Sequence, residues 1–324
     1  INQRYGQLED YMVDKSWQDT DLFYYCWVTN SSVSGMYQTG GVYGVASGTR
    51  RNYSKGNTVT QTDPASYYAG GVTGQLGSWA AQYYYVENCT VTTEGKGAGG
   101  ISGYGDNYNY ETVVNCQIQA KQNAGGVAGA IPDYYVRYSK VEGSTITATD
   151  SYAGGIVGYT AIHSSTGTNT YIDCFVTGSQ IKAGSYAGGL AGACYGKDTT
   201  FILIDDSVTV SADSYAGGVF GLVTGGKHYR HESGATVSAS RQNAGGFAGE
   251  LLGYCQKFTS QASATAETVA ELAYPQTKVY SSIISGKISG GYNVGGFVGI
   301  FDKGLRPIDP ENGKELDDRD TGYT

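Results

Sequence analysis

The residue types that carry most enzyme chemistry are thinly spread along this 324-residue chain, which holds three histidines and six cysteines. Two histidines, His228 and His231, fall in the segment HYRHE. A zinc peptidase needs HExxH, two histidines one helical turn apart with a glutamate base, and that motif does not occur. HYRHE reads as strand, where residues three apart point to opposite faces. His228 and His231 are therefore not expected to converge on a metal, and His163 stands alone. The best carboxylate pair is Asp205-Asp206 in ILIDDSVTV. A glycoside hydrolase needs two carboxylates at a set separation. Strand neighbours provide one only at a corner, and a solvated turn pair is the expected role. A polysaccharide lyase would need an acidic Ca²⁺ cluster beside a Lys or Arg base, and the sequence shows none. No catalytic, metal-binding or cofactor-binding residue is assigned, and no cofactor is expected.

The residues that do recur at fixed spacing are glycines. A motif of the form YAGGVxG appears nine times, with the first Gly of each pair at 40, 70, 99, 125, 154, 188, 217, 245 and 295. The intervals are 30, 29, 26, 29, 34, 29, 28 and 50 residues. After each pair comes an apolar residue, from Val42 and Val72 to Phe247 and Phe297, which predicts one buried ladder. A further Gly follows two residues later in every copy. Gly accepts backbone angles closed to other residues and permits close approach of chains, as a tight corner repeated in each coil requires. Seven or eight residues upstream lies a β-branched column: Val33, Val91, Ile118, Ile146, Ile181, Val210, Val237 and Ile288. The alternation around it, as in STITA and SVTVS, is the period-two signature of strands.

Two further columns bear on function. Cys26 and Cys174 lie 14 residues before their Gly pair, and Cys89 and Cys116 lie 10 and 9 before theirs. A ladder of small buried thiols is the expected role. A Cys89–Cys116 disulfide stays open as an alternative, whereas a zinc site lacks any CxxC. Two residues before the Gly pair the column reads Gln38, Tyr68, Gly97, Asn123, Tyr152, Tyr186, Tyr215, Asn243 and Asn293. In-register stacking explains such a column structurally. Tyr68, Tyr152, Tyr186 and Tyr215 are also the candidate ligand-binding aromatic strip, able to hold sugar rings or a partner.

A repeat of about 29 residues with strand periodicity cannot bury its own apolar face, and stacking neighbours does so. The expected fold is all-β, a parallel β-helix (β-solenoid) of about nine or ten coils. Residues 1–21 are read as an N-terminal cap, 22–303 as the solenoid and 304–324 as a polar tail or linker. The 50-residue interval contracts to about 29 if 257–277 is an insertion, whose SATAETVAELAYP suggests a short helix ending at Pro275. A coil that has lost its motif is the alternative. Nine Gly-rich copies cannot each be a nucleotide loop. The net charge of −8 opposes nucleic acid as a partner, and no apolar run is long enough to insert in a membrane as a helix. An excised domain of this kind is expected to stand as a monomer.

The pattern NC-x-V…YAGG-[VIL]-x-G, carried by IDCFVTGSQIKAGSYAGGLAG, VVNCQIQAKQNAGGVAG and VENCTVTTEGKGAGGISG, resembles the GLUG repeat of bacterial surface proteins. The resemblance covers roughly residues 22–300. It implies a bacterial, secreted or cell-surface, adhesin-like protein, binding a host glycan or protein or projecting other domains without catalysis. The rival expectation is a β-helix carbohydrate-active enzyme, either a polysaccharide lyase or a glycoside hydrolase.

Overall fold

A computed structural model describes residues 23–65, 67–77, 81–132, 134–160, 170–253 and 277–302. The expected cap (1–21), the expected tail (304–324), His163 and nearly all of the expected insertion lie outside them. Five short strands make each coil. In the fifth coil they are Val136–Arg137, Lys140–Glu142, Thr145–Ala148, Tyr152–Gly154 and Val157–Thr160. Each strand stacks on its equivalents to form one of five nine-stranded sheets, all parallel, so the described chain is a β-solenoid of nine coils. We call the sheets faces 1 to 5 in that order. At about 4.8 Å per rung the rod is about 45 Å long.

The β-branched column lies on face 3 and points inward. Val91, Ile118, Ile146, Ile181, Val210 and Val237 are no more than 1% exposed and pair in register from coil to coil. Each buried aliphatic contributes about 1.5–3 kcal/mol. Val59 belongs to the same column, pairing with Val91, and escapes the sequence pattern because its coil carries extra residues after face 3.

The glycine motif is the corner between faces 4 and 5. Its glycines do not rely on unusual backbone angles, because none has a positive φ. They are required by crowding. A Cβ at Gly188 would overlap the Ala191 carbonyl oxygen and lie 2.6 Å from the Gly221 nitrogen, and one at Gly192 would lie 2.7 Å from the Ala153 nitrogen. The corner is so tight that the Ile156 carbonyl accepts from the amides of both Val127 and Ala128 (2.8 and 3.1 Å).

Positive φ is used instead at the other corners. Between faces 1 and 2 it falls once per coil, at Tyr25, Arg51, Tyr83, Tyr110, Tyr138, Asp173, Phe201, Arg230 and Ser281, with φ from 51° to 63°. Between faces 2 and 3 it falls at Asn30, Gly56, Asn88, Asn115, Gly143 and Gly178. The amide that follows such a residue needs an acceptor, since a buried unpaired N–H is costly. The next coil supplies one from a side chain. At the second corner Ser31 donates to Asn57 Oδ1 (2.8 Å), Asn57 to Cys89 Sγ (3.4 Å), Cys89 to Cys116 Sγ (3.4 Å), Cys116 to Ser144 Oγ (3.1 Å) and Ser144 to Ser179 Oγ (3.1 Å). Cys89 and Cys116 are thus free thiols serving as amide acceptors. Cys26 and Cys174 belong to the equivalent column at the first corner.

The long interval is resolved by the pairing. Ala248–Leu252 pairs directly with Val298–Asp302, and Gly226–Tyr229 with Thr277–Tyr280. No coil is skipped, so the extra length falls between Leu252, at the end of face 5, and Thr277, at the start of face 1.

Gly188→Ala is expected to lower stability by about 1–3 kcal/mol or more, whereas Gly296→Ala, with nothing within 4 Å of its Cβ, leaves the thermal midpoint unchanged. Equal midpoints for the two variants would refute steric crowding as the role of the motif. Ser144→Ala orphans the Cys116 amide and is expected to cost about 1–3 kcal/mol. Cys116→Ser keeps an acceptor and should cost clearly less in the same denaturant titration.

Candidate functional site

The four tyrosines singled out from the sequence all lie on face 4, but they do not form one strip. Tyr152, Tyr186 and Tyr215 occupy successive rungs and stack, with centroids 5.4 and 4.6 Å apart and interplanar angles of 17° and 7°. Tyr68 is separated from them by Gly97 and Asn123 and packs instead against Tyr104 of face 5 (5.0 Å). The side chains of faces 4 and 5 meet across the glycine corner, which is therefore re-entrant on its outer side. Tyr152 touches Tyr159 (5.3 Å), Gln38 Nε2 donates to Gln75 Oε1 (3.1 Å), and the Tyr186 hydroxyl donates to Glu250 Oε2 (3.1 Å). Burial raises the pKa of Tyr186, and the neighbouring Glu250 charge raises it further. Burial likewise raises those of Tyr68 and Tyr215. These rings fill a seam. Sugar stacking needs an exposed π face, and the stack covers both faces of Tyr186.

A more open aromatic array lies at the corner between faces 1 and 2, which the sequence reading did not single out. One ladder runs through the left-handed residues of the first five coils. Arg51 sits between Tyr25 and Tyr83, its Cζ 5.7 and 5.4 Å from the two ring centroids, and its Nη1 donates to the Tyr25 hydroxyl (2.6 Å). Tyr83, Tyr110 and Tyr138 continue the stack at 4.9 and 4.8 Å. A second ladder stands two residues on, at the first position of face 2. There Trp27 packs on Tyr53 (5.1 Å), and Tyr53 stacks on Tyr85 (5.3 Å). The Tyr53 hydroxyl donates to Glu87, which also pairs with Lys55 (3.1 Å). Burial, reinforced by the Glu87 charge, pushes the pKa of Tyr53 up to about 12. The two ladders wall a cleft over coils one to four, with Asn52 and Tyr84 behind them. The available signal was a bulky residue immediately before the first cysteine column in most coils. It is weak, because left-handed backbone normally selects Gly or Asn.

The histidine expectation is corrected. His228 and His231 both point into the core and are fully buried. Arg230, at φ 55°, lies between them and resets the strand alternation. His231 Nδ1 accepts the Ile202 amide (3.3 Å), which leaves Nε2–H to donate to Thr199 Oγ1 (2.8 Å). Thr199 then donates to His228 Nδ1 (2.7 Å), whose Nε2–H reaches the Gly225 carbonyl (3.2 Å). This chain closes only with both rings neutral. Burial lowers their pKa values to about 4 and about 3, and the charge of His228 lowers His231 further. Asp205 accepts from the Ser207 amide (3.0 Å) and the Thr177 hydroxyl, so it braces the turn, while Asp206 is exposed. Among the described residues no group of three or more His, Cys, Asp or Glu is placed to hold a metal ion.

No family model, curated protein or solved structure matches the chain. The class of protein is therefore set by the fold alone, a parallel β-solenoid.

The histidine pair makes stability pH-dependent. Its folded pKa values lie below the unfolded value of about 6.5, so the unfolded chain takes up protons first as pH falls. Stability is lost as pH falls from about 6.5 through about 4 for His228 and on to about 3 for His231, by roughly 3–5 kcal/mol per histidine. Replacing the network by Thr199→Val, His228→Val and His231→Ile, with Ile matching Ile202 one rung below, should flatten this acid limb in thermal melts. An unchanged limb would rule the pair out as its source.

Proposed function

We propose that this chain is a non-catalytic repeat domain of a secreted or cell-surface protein, adhesin-like, that binds a host glycan or protein along its flank and holds that site away from the surface bearing it. The observation that carries this reading is the cleft between the two aromatic ladders of coils one to four. Aromatic side chains are the common anchors of recognition surfaces, and here the rod holds them on sheet and corner positions that repeat coil by coil. The resemblance of the repeat to bacterial GLUG sequences supports the same placement.

The test is to screen the purified chain against glycan and host-protein arrays, beside a Trp27→Ala/Tyr85→Ala variant. Binding that falls at least tenfold in the variant is expected. Failure to bind any ligand would overturn recognition and leave a spacer. Release of new reducing ends or unsaturated sugars from a polysaccharide panel would replace this reading with a carbohydrate-active enzyme.

A further inference from the structure

The aromatic cleft carries more information than its ring content. Rings inside a ladder spend both faces on their neighbours, so only a terminal ring offers a face to a ligand. Among the described residues Trp27 is such a ring. It belongs to the first coil, packs on Tyr53 on one side, and is 46% exposed. At the back of the cleft Asn52 is 1% exposed. Its Oδ1 accepts the Cys26 amide (3.1 Å) and the Tyr43 hydroxyl (3.4 Å), which fixes the orientation of the amide group. Its Nδ2 has no hydrogen-bond partner. A buried donor without an acceptor is costly, and a ligand oxygen entering the cleft relieves it.

The local charge points the same way. The chain is acidic overall, with net charge −8, yet one wall of the cleft carries Arg51, held between Tyr25 and Tyr83. Arg50 adjoins it, and both positive charges act on the Tyr83 hydroxyl. The two nearby carboxylates are engaged elsewhere: buried Glu111 accepts the Tyr84 and Asn109 amides (2.8 and 3.2 Å), and Glu87 accepts from Tyr53 and pairs with Lys55. An apolar ring face, a lone donor and a guanidinium within one cleft match a pyranose bearing an acid group. The hydroxyls of Tyr83, Tyr110 and Tyr138 recur along the axis at about 4.8 Å per rung, close to the advance of one sugar in an extended chain.

We propose that this cleft binds a saccharide carrying a carboxylate, with Trp27 stacked on the sugar face, Asn52 Nδ2 donating to a ring oxygen or substituent, and Arg51 facing the carboxylate. The assignment rests on the binding role proposed above and narrows it to a ligand class.

The experiment titrates the chain by calorimetry with oligogalacturonate, oligoglucuronate and sialyllactose, and with lactose and cello-oligosaccharides as neutral counterparts. At least one acidic saccharide should bind tenfold or more tighter than the neutral sugars, and added salt should weaken it through screening. Trp27→Ala and Arg51→Gln should each reduce that affinity about tenfold. Asn52→Ser should reduce it several-fold while keeping a corner acceptor like Ser139, which accepts the Glu111 amide. Lys182→Ala, on face 3, should leave binding unchanged, and thermal midpoints report whether each variant is folded. If acidic and neutral sugars bind alike and Arg51→Gln has no effect, the acidic assignment falls and saccharide recognition stands. If binding survives Trp27→Ala and Asn52→Ser, the site lies elsewhere. Binding to a protein on the arrays with none to any saccharide overturns this proposal alone. Binding to nothing overturns the general reading as well.

Discussion

The backbone hydrogen bonds of the five sheets run between coils, along the axis of the rod, at one fixed rung height. A single coil satisfies neither its amides nor its apolar side chains, so register with the next coil constrains everything else. Any residue placed in a column meets its equivalent about 4.8 Å above and below. The corner between faces 4 and 5 folds back until a Cβ at the motif glycines would strike the backbone of the same coil or a neighbouring one. The corners on either side of face 2 turn by left-handed residues and leave amides that only the adjacent coil reaches. The side chains that answer them are small or polar, whether Ser, Asn, Cys, Glu or His.

The same stacking governs the surface. Like charges in one column would repel along the whole rod, and only 15% of the residues are charged. Some of these charges meet an opposite sign or a ring, as in Lys55 with Glu87, Lys140 with Glu142 and Arg51 between two tyrosines, although Lys227 and Lys278 lie side by side in register on face 1. Tyrosine suits such columns because its rings stack at a spacing near that of the rungs. The cost is that both faces of a ring inside such a column are covered, as at Tyr186. The proposed binding site accordingly lies where a described column ends or changes residue type, at Trp27 and Arg51.

Sequence spacing revealed the coil because the glycine corner is the least tolerant part of the repeat. It located the inward face 3 column through its alternation, but it took the cysteines as one ladder, whereas their two spacings, 14 and 9–10 residues before the Gly pair, correspond to two different corners. It could not show what the thiols do, since their partners are backbone amides about thirty residues away. Strand parity failed at His228 and His231 because a single left-handed residue, Arg230, intervenes and nothing in its identity announces it. The aromatic cleft stayed hidden for the same reason: Tyr83, Tyr110 and Tyr138 sit in a backbone conformation where glycine or asparagine is expected. The tyrosines before the glycine pair are conspicuous in the sequence, and the re-entrant corner that half-buries them is not.

Because each coil is bonded only to its neighbours, the rod has a distinct mechanical character. Tension along the axis loads the inter-coil bonds head-on, so coils peel away from an end one at a time. Each released coil of about 29 residues yields roughly 100 Å of slack chain, about twice the length of the intact rod. A rod of this design extends in steps under load.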